Sequence, residues 1–166
     1  MILPFVNKHS QVLSVGIGCK KNTSASLIES AIRQVFNRHN LDLSAIALLV
    51  TIDGKKNEVG ILQLAEKWNL PLKTFTVEEL EEVEIPNPSS IVEKKTGTKS
   101  VAEACAMKGS LWSNLGDNRI TELIIPKQII NDSKGKGAVN IAVARFHFKD
   151  SATQKFLELI DTNLLI

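Results

Sequence analysis

The stretch Leu13-Ser14-Val15-Gly16-Ile17-Gly18-Cys19-Lys20-Lys21-Asn22-Thr23 decides the fold of this chain. An apolar run typical of a buried strand ends in two glycines, and two lysines then lead to a hydroxyl residue that can cap a helix. Glycine lets the backbone turn sharply and approach a ligand, and the first N–H groups of a following helix attract anions. The stretch therefore predicts a strand, a turn and a helix, with an anion site in the turn.

Known phosphate fingerprints do not explain this turn. The dinucleotide fingerprint needs a third glycine three residues after Gly18, where Lys21 stands, and the P-loop sequence does not occur. A nucleotide is therefore a poor candidate, whereas a ligand that carries carboxylates fits equally well. A strand-to-helix turn also needs glycine for its geometry alone, and loop lysines are usually solvated. A purely structural explanation therefore stays open.

Composition limits the classes of protein that fit. The 166 residues fit one domain, and a hydrophobic content of 43% is enough for a core. The net charge of +2 gives no sign of a nucleic-acid or membrane surface. No apolar stretch approaches the ~20 residues of a membrane span, and residues 1–9 lack the features of a signal peptide. With Cys19 and Cys105 far apart, we expect a cytoplasmic protein with free thiols and no nucleic-acid or membrane partner.

Strands alternate with helices through the first half of the chain. Apolar spacing predicts, in chain order, strand Gln11–Cys19, helix Ser24–Arg38, strand Ile46–Ile52, helix Glu58–Trp68, strand Leu72–Thr76 and a helical turn at Val77–Glu82. In the second of these helices, Leu62 is predicted to face inward with Ile61 and Leu64. This βαβαβ order predicts a parallel sheet with helices on both faces.

The second half of the chain is predicted to close the sheet with an antiparallel hairpin. The predicted elements are short helix Ser89–Lys94, helix Ser100–Lys108, an exposed loop at Gly109–Arg119, strands Ile120–Ile130 and Ala138–Phe148, and terminal helix Ser151–Leu164. The predicted fold is α/β, a three-layer sandwich whose mostly parallel sheet ends in a C-terminal antiparallel hairpin.

Carboxylates follow the second predicted strand at the edge where a ligand is expected. Ligands of parallel sheets bind at the carboxyl ends of the strands, so Asp53 and Glu58 should face the lysines of the first turn. Asp53 could act as a general base, a hydrogen-bond acceptor or an anchor of its turn, and Lys55 could pair with it or with a substrate carboxylate. Asp-Gly is also a common turn dipeptide, and Glu58 would meet a helix dipole favourably.

Three further sets of residues have competing explanations. Ser100 and Glu103 have the spacing of a capping box, which favours a structural role. Cys19 is a candidate nucleophile because a helix N-terminus and two lysines would lower its thiol pKa, but no histidine lies nearby in sequence. The three histidines have no metal-ligand spacing. We expect no metal site and no cofactor.

Five segments occur in an order that resembles a known family. They are Val-Gly-Ile-Gly-Cys-Lys-Lys-Asn-Thr at 15–23, Thr-Ile-Asp-Gly-Lys-Lys-Asn-Glu-Val-Gly-Ile at 51–61, Gly-Thr-Lys-Ser-Val-Ala-Glu-Ala at 97–104, Ile-Pro-Lys at 125–127 and Ala-Val-Ala-Arg at 142–145. The chain resembles the C-terminal domain of the cobalamin-biosynthesis protein CbiG and its stand-alone relative CobE. The resemblance covers about residues 12–146 and implies a single domain over 1–166, with a short leader and a helical tail.

The resemblance implies work on the corrin ring of vitamin B12. CbiG is the cobalt-precorrin-5A hydrolase, which opens a lactone on the macrocycle and releases acetaldehyde, whereas CobE has a less settled role. Asp53 and Glu58 are the implied catalytic residues, which would activate water while Lys20 or Lys55 stabilises the oxyanion. The substrate-binding positions carried over with the motifs are Gly16, Gly18, Cys19, Lys20, Thr23, Lys55, Ser100, Glu103 and Lys127.

Functions of different classes remain open at this point. The chain could be an enzyme, or the catalytic domain of one, that hydrolyses a cobalt-precorrin lactone. It could instead be a non-catalytic accessory protein that holds a corrinoid intermediate, or an α/β domain for an unrelated small carboxylate or phosphate. Only about ten residues precede the first predicted strand, whereas CbiG has further N-terminal domains. We therefore expect a CobE-like protein or a partner of a separate CbiG N-terminal domain or another cobalamin-pathway enzyme.

Overall fold

The computed structural model of the protein describes residues 11–83, 100–111, 119–135 and 137–148. Single 3-10 turns lie on either side of the second strand, at Leu43–Ala45 and Asp53–Lys55. None of the helices in the described ranges is both long and apolar enough to cross a membrane. The helices and strands, in chain order, are β1 (Leu13–Cys19), α1 (Ala25–Arg38), β2 (Ile46–Ile52), α2 (Val59–Lys67), β3 (Leu72–Phe75), α3 (Val77–Glu81), α4 (Val101–Leu111), β4 (Arg119–Asn131) and β5 (Ala138–Phe148).

The five strands form one open sheet in the order β3-β2-β1-β5-β4. β1 pairs in parallel with β2, and β2 pairs in parallel with β3. β5 runs antiparallel to both of its neighbours, β1 and β4, so the last two strands form a hairpin at the edge of the sheet. The predicted parallel strands and the C-terminal antiparallel hairpin are both confirmed.

Helices cover both faces of the sheet, which confirms the predicted three layers. Successive residues of a strand point to opposite faces, and Leu13, Val15 and Ile17 of β1 pack on the side of α1 and α2. The opposite face packs against α3 and α4 through Val50 and Ala142. Each fully buried isoleucine or leucine contributes about 1.5–3 kcal/mol to folding, so the two apolar layers hold the sheet between the helices.

Small residues bring α4 into direct contact with the sheet. A Cβ atom at Gly16 would overlap the carbonyl oxygen of Ala102 and would lie 2.8 Å from the backbone nitrogen of Ala106. A Cβ atom at Gly109 would likewise overlap Cγ2 of Val50. The backbone of α4 therefore rests on the backbone of β1, with no side chain between them at Gly16.

The ends of the first two helices follow from their local sequence. The Ser24 hydroxyl accepts a hydrogen bond from the Leu27 N–H at 3.2 Å, which satisfies one of the free donors at the start of α1. Asn40 follows α1 with φ 53°, and Asn69 follows α2 with φ 52°. Asparagine tolerates this left-handed conformation, which ends a helix and lets the chain turn back to the next strand.

The structure corrects two details of the sequence prediction. α4 continues through Gly109 to Leu111, where a loop was predicted. The glycine does not end the helix there. It allows this turn of α4 to pack against Val50, where a Cβ atom would not fit. Leu62 of α2, predicted to face inward, is 43% exposed because the core side of α2 is formed by Gly60, Ile61, Leu64 and Ala65. The helices predicted at Ser89–Lys94 and Ser151–Leu164 lie outside the described residues.

Candidate functional site

A cleft of about 360 Å³ opens at the carboxyl ends of β1 and β2. The start of β5 forms its opposite wall, and the first residue of α4 lies over it. Ligands of parallel sheets bind at this edge because the loops that lead into helices meet there. The residues that line the cleft are Gly18, Cys19, Lys20, Thr51, Ile52, Lys55, Val101, Ala138 and Asn140.

The cleft continues the groove in which α4 lies. Ser14, Gly16 and Gly18 are alternate residues of β1 and share the face of the sheet that carries α4. α4 packs directly on Gly16 through its first turn, whereas Gly18 is only half-buried and lines the open cleft. A Cβ atom at Gly18 would lie 3.5 Å from Cβ of Asn140, which is an ordinary contact. Glycine therefore allows close packing at residue 16 and leaves room for a ligand at residue 18.

Positive charge dominates the cleft. Lys20 and Lys55 both line it, and none of the described lining residues carries a carboxylate. Val101 brings the N-terminus of α4 to the same place, and a helix N-terminus carries positive partial charge. The arrangement favours an anionic ligand.

The helix start nearest the cleft differs from the one predicted. The sequence predicted an anion site at the N-terminus of α1, but the Ser24 hydroxyl caps that helix by accepting a hydrogen bond from the Leu27 N–H. The Thr23 hydroxyl donates to the carbonyl oxygen of Lys20 at 2.7 Å and so stabilises the turn before α1. No described residue of α1 lines the cleft, and α4 contributes the helix N-terminus instead.

Glu58 joins the loops that follow β1 and β2. Its Oε2 accepts a hydrogen bond from the backbone N–H of Asn22 at 3.0 Å. The loop after β1 also touches the start of α2 at Gly60, where a Cβ atom would overlap the carbonyl oxygen of Thr23. These contacts confirm that the two turns lie at the same edge of the sheet. In the described part of the chain Oε1 of Glu58 has no hydrogen-bond partner.

Asp53 lies on the side of its turn that faces β3. The Thr74 hydroxyl donates a hydrogen bond to Oδ1 of Asp53 at 3.0 Å, and Asp53 is not among the residues that line the cleft. The contact anchors the turn after β2 to the neighbouring strand. Glu58 and Lys55 both lie close enough to Cys19 for their charges to act on its thiol.

The thiol of Cys19 is less acidic than predicted. Burial raises its pKa above the usual value, and the nearby Thr23 hydroxyl and Lys55 offset only part of that effect. A raised pKa leaves little of the thiolate that a nucleophile needs at neutral pH. Burial also raises the pKa of Cys105 to about 12. Both thiols are free, as predicted, and Cys105 belongs to the core beneath α4.

The remaining predicted site residues lie beside the cleft or away from it. The Ser100 hydroxyl accepts a hydrogen bond from the Glu103 N–H at 3.4 Å, as a helix cap does, at the start of α4. Lys127 lies in β4 where its pairing with β5 is irregular, between Ile125 and Gln128, and does not line the cleft. The structure thus brings Gly18, Cys19, Lys20 and Lys55 together, places Thr23 and Glu58 next to them, and separates Gly16, Asp53 and Lys127 from the cleft.

Sequence analysis missed Thr51, Val101 and Asn140 as parts of the cleft. The Thr51 hydroxyl donates to the buried carbonyl oxygen of Ile17 at 2.8 Å, so it links β2 to β1. Asn140 is the only polar residue between Ala138 and Ala144. A lone amide in an otherwise apolar strand is a signal that could have been noticed, because such a side chain needs a polar partner.

A larger hollow of about 1010 Å³ runs along the outer side of α1, but both of its cations already pair with Glu29. Oε1 of Glu29 lies 2.8 Å from Nζ of Lys67, and Oε2 lies 3.2 Å from Nε of Arg33. These ion pairs lower the pKa of Glu29. The smaller cleft at the strand ends has two lysines and no carboxylate among its described lining residues, which makes it the candidate functional site.

The fold and the cleft define a class: an α/β domain with a basic cleft at the carboxyl edge of its parallel strands. The chain belongs to the family described as Cobalamin synthesis G C-terminus, whose family model matches residues 13–144. It is therefore a cobalamin-biosynthesis protein, and the resemblance seen in its sequence motifs is confirmed.

Two curated relatives are enzymes much longer than the matched region. The chain is 35% identical over 97 residues to a cobalt-precorrin-5A hydrolase of Priestia megaterium, covering 58% of this chain and 26% of the relative. It is 34% identical over 108 residues to a cobalt-precorrin-5A hydrolase of Salmonella typhimurium, covering 64% of this chain and 31% of the relative. The chain thus spans about a quarter to a third of the length of these hydrolases.

Among solved structures, one match extends over most of both chains. The crystal structure of CobE, a protein from the cobalamin (vitamin B12) biosynthetic pathway, is similar with a TM-score of 0.64 and 30% sequence identity. The match covers 84% of this chain and 93% of that one. The similarity agrees with the open five-stranded sheet and its antiparallel last strands.

Proposed function

We propose that the protein binds a corrin-ring intermediate of cobalamin biosynthesis in the cytoplasm, and that Lys20 and Lys55 hold carboxylates of that ligand. The observation that carries the proposal is a cleft with two lysines and no carboxylate among its described lining residues. Precorrins carry acetate and propionate side chains, so their margin is acidic. Membership of the cobalamin family makes such a ligand the natural candidate for a basic cleft.

The size of the cleft limits how the ligand can bind. A volume of about 360 Å³ lies near the lower end of the range for ligand pockets, roughly 300–1,000 Å³. One edge of a macrocycle with its carboxylate arms can enter such a space, whereas the ring itself must extend beyond the mouth. The domain would therefore hold its ligand by the margin, which also leaves the rest of the ring open to a partner.

Binding can be combined with lactone hydrolysis at the same place. Hydrolysis needs a base to take a proton from water, and a cation to stabilise the oxyanion that forms when water attacks the lactone carbonyl. Glu58 supplies a carboxylate whose Oε1 is unoccupied by described residues, and Lys20 or Lys55 supplies the cation. We propose Glu58 as the base in preference to Asp53, which hydrogen-bonds to Thr74 on the β3 side.

An accessory role is the second candidate, and a specific observation supports it. The structural match covers 93% of CobE, whereas the sequence matches cover only 26% and 31% of the two hydrolases. A domain of this extent could hold the corrinoid while a separate CbiG N-terminal domain, or another cobalamin-pathway enzyme, contributes to the chemistry. Binding by Lys20 and Lys55 is common to both candidates.

A titration with a cobalt corrinoid that has free carboxylate side chains tests the proposal through its visible absorbance. Lys20→Ala and Lys55→Ala should each weaken binding about tenfold or more, because a hydrogen bond between charged groups is lost. Lys21→Ala is the matched control, since Lys21 is exposed, adjacent in sequence and outside the cleft. Absence of saturable binding, or equal losses in all three variants, would contradict the proposal. Acetaldehyde release then separates an enzyme from a binding protein.

A further inference from the structure

A row of paired residues extends from the cleft across the last two strands. Gly18 of β1 pairs with Asn140 of β5, and Asn140 pairs in turn with Ile129 of β4. Directly paired residues of a sheet place their side chains on the same face. Asn140 shares its face with Ala142, which packs beneath α4, so the row lies on the α4 side. The row continues the floor of the cleft toward the edge of the sheet.

The chemistry changes along this row. The lysines lie at the β1 and β2 end, Asn140 is at the centre, and Ile129 at the far end is 56% exposed. Within the described residues, no hydrogen bond satisfies the Asn140 amide, which can donate and accept at once. A single exposed isoleucine is ordinary on a protein surface. Ile129, however, pairs with Asn140 and lies in line with the basic cleft, where it can contact a ligand that extends out of the cleft.

We propose that Asn140 and Ile129 form the second half of the ligand-binding surface. Asn140 donates a hydrogen bond to a carboxylate or lactone oxygen at the ring margin, and Ile129 packs against the apolar face of the ring. This inference rests on the proposed function, because it assigns residues to the same ligand. It fixes the direction of binding: the acidic margin points toward β1 and β2, and the macrocycle extends over β5 and β4.

The complementarity of the ligand supports this orientation. A corrin has a broad apolar face and a margin of carboxylate arms, and the protein surface offers apolar and basic regions in adjacent positions. The cleft alone, at about 360 Å³, accepts only an edge of the ring. A ring held by that edge needs a surface next to the cleft, and neighbouring strands about 4.8 Å apart place Asn140 and Ile129 within its reach.

The test compares variants in the titration with a cobalt corrinoid that has free carboxylate side chains. Asn140→Ala should weaken binding about tenfold, through loss of a hydrogen bond to a charged group. Ile129→Ser should weaken it about fivefold to tenfold, through loss of apolar contact. Ile120→Ser is the matched control, because Ile120 is 42% exposed on the same strand but pairs with His147 at the other end. It should bind like the wild type.

A second substitution separates ligand contact from a structural role of Asn140. Asn140→Asp keeps the shape of the side chain but places a negative charge opposite the ligand carboxylates. We expect weaker binding than in Asn140→Ala at pH 7. Its deficit relative to Asn140→Ala at the same pH should shrink as the pH falls toward the aspartate pKa of about 4. A merely structural role would lower the melting temperature without this pH-dependent recovery.

The outcomes distinguish failure of this inference from failure of the proposed function. If the wild type does not bind the corrinoid, the proposed function fails. If the wild type binds and Lys20→Ala weakens it, while Asn140→Ala and Ile129→Ser bind normally, the function stands and this inference is wrong. Equal weakening by Ile129→Ser and Ile120→Ser would also overturn it, because the effect would then be unrelated to the row.

Discussion

The backbone N–H of Asn22 donates a hydrogen bond to Oε2 of Glu58 at 3.0 Å, and this bond ties together the loops that follow β1 and β2. Asn22 has φ 63°, a conformation that asparagine tolerates better than most residues. The bond fixes the loop that carries Lys20 against the loop that carries Lys55. The spacing of the two cleft lysines therefore depends on a carboxylate that is not itself in the cleft.

Two substitutions of Glu58 should differ in their effect on stability, because only one of them keeps a hydrogen-bond acceptor for the Asn22 N–H. Glu58→Ala removes the acceptor for Asn22, and we expect the free energy of unfolding to fall by about 1 kcal/mol. Glu58→Gln keeps a carbonyl oxygen at the same position and should cost less than about 0.5 kcal/mol. Urea denaturation measures both values. Equal losses in the two variants would mean that charge, and not the hydrogen bond, stabilises the loops.

The two candidate bases should differ in their effect on lactone hydrolysis. In a preparation that releases acetaldehyde, Glu58→Gln should lower the rate about 100-fold, the usual lower range for loss of a general base. Asp53→Asn should change it less than about tenfold, because Asp53 is directed toward Thr74. Thr74→Val is the control for the anchoring hydrogen bond. A large loss confined to Asp53→Asn would assign the base to Asp53.

Alanine should be tolerated at one glycine of β1 and rejected at the other. Gly16→Ala places a Cβ atom against the carbonyl oxygen of Ala102, and we expect a loss of about 2–3 kcal/mol in the free energy of unfolding. Gly18→Ala makes only ordinary contacts and should change stability by less than about 1 kcal/mol. It should nevertheless weaken corrinoid binding, because the new methyl group occupies the cleft. Chemical denaturation and the absorbance titration provide the two measurements, and similar stability of the two variants would contradict the packing argument.

The raised pKa of Cys19 predicts slow reaction with thiol reagents at neutral pH. Burial raises the pKa, so the thiolate fraction at pH 7 is below that of an exposed cysteine. The rate of alkylation should increase as the pH rises above 9. Lys55→Met should slow the reaction further, since the lysine lowers the pKa of the thiol. A rate at pH 7 above that of a free cysteine would support the nucleophile that the sequence suggested.

Cys105 should make the protein less stable at high pH. Burial raises its pKa from the usual 9.0 to about 12 in the folded state, so the unfolded chain loses this proton first. The stabilising contribution is complete below pH 9 and is lost as the pH rises toward 12, because the folded state then binds more protons than the unfolded one. Denaturation between pH 8 and pH 11 should show a steeper decline for the wild type than for Cys105→Ala. Parallel declines would exclude Cys105 as the cause.

Most of the fold could be predicted because its pattern is local. The apolar run of β1, the apolar stripe of α1 and the polar turn between β4 and β5 each indicate their own element. The path of α4 was less predictable, since its end depends on contact with Val50, far away in sequence. Glycine has a low helix propensity, so Gly109 predicts a helix end from local sequence alone. Packing of α4 against the sheet outweighs that propensity.

Only the part of the candidate site that follows the parallel strands β1 and β2 could be predicted, because these strands are neighbours in the chain order and in the sheet. The rule for parallel strands places Lys20 and Lys55 at the same edge, and the structure agrees. Asn140 and Val101 join the cleft through the antiparallel pairing of β5 and the packing of α4. Neither relation follows from local spacing. Two glycines two residues apart look alike in the sequence, although Gly16 lies beneath a helix and Gly18 borders open space.

Contact between α4 and Gly16 has a further consequence for how ligand size is selected. A pocket whose walls are long side chains can widen or narrow when those side chains change rotamer. Here the backbone of α4 rests directly on the backbone of β1 at Gly16, so no rotation about a side-chain bond can move the helix. The distance between α4 and the sheet is therefore set by the backbone, even though Lys20 and Lys55 can still change rotamer at the mouth. A relative that takes a thicker ligand would have to shift the whole helix.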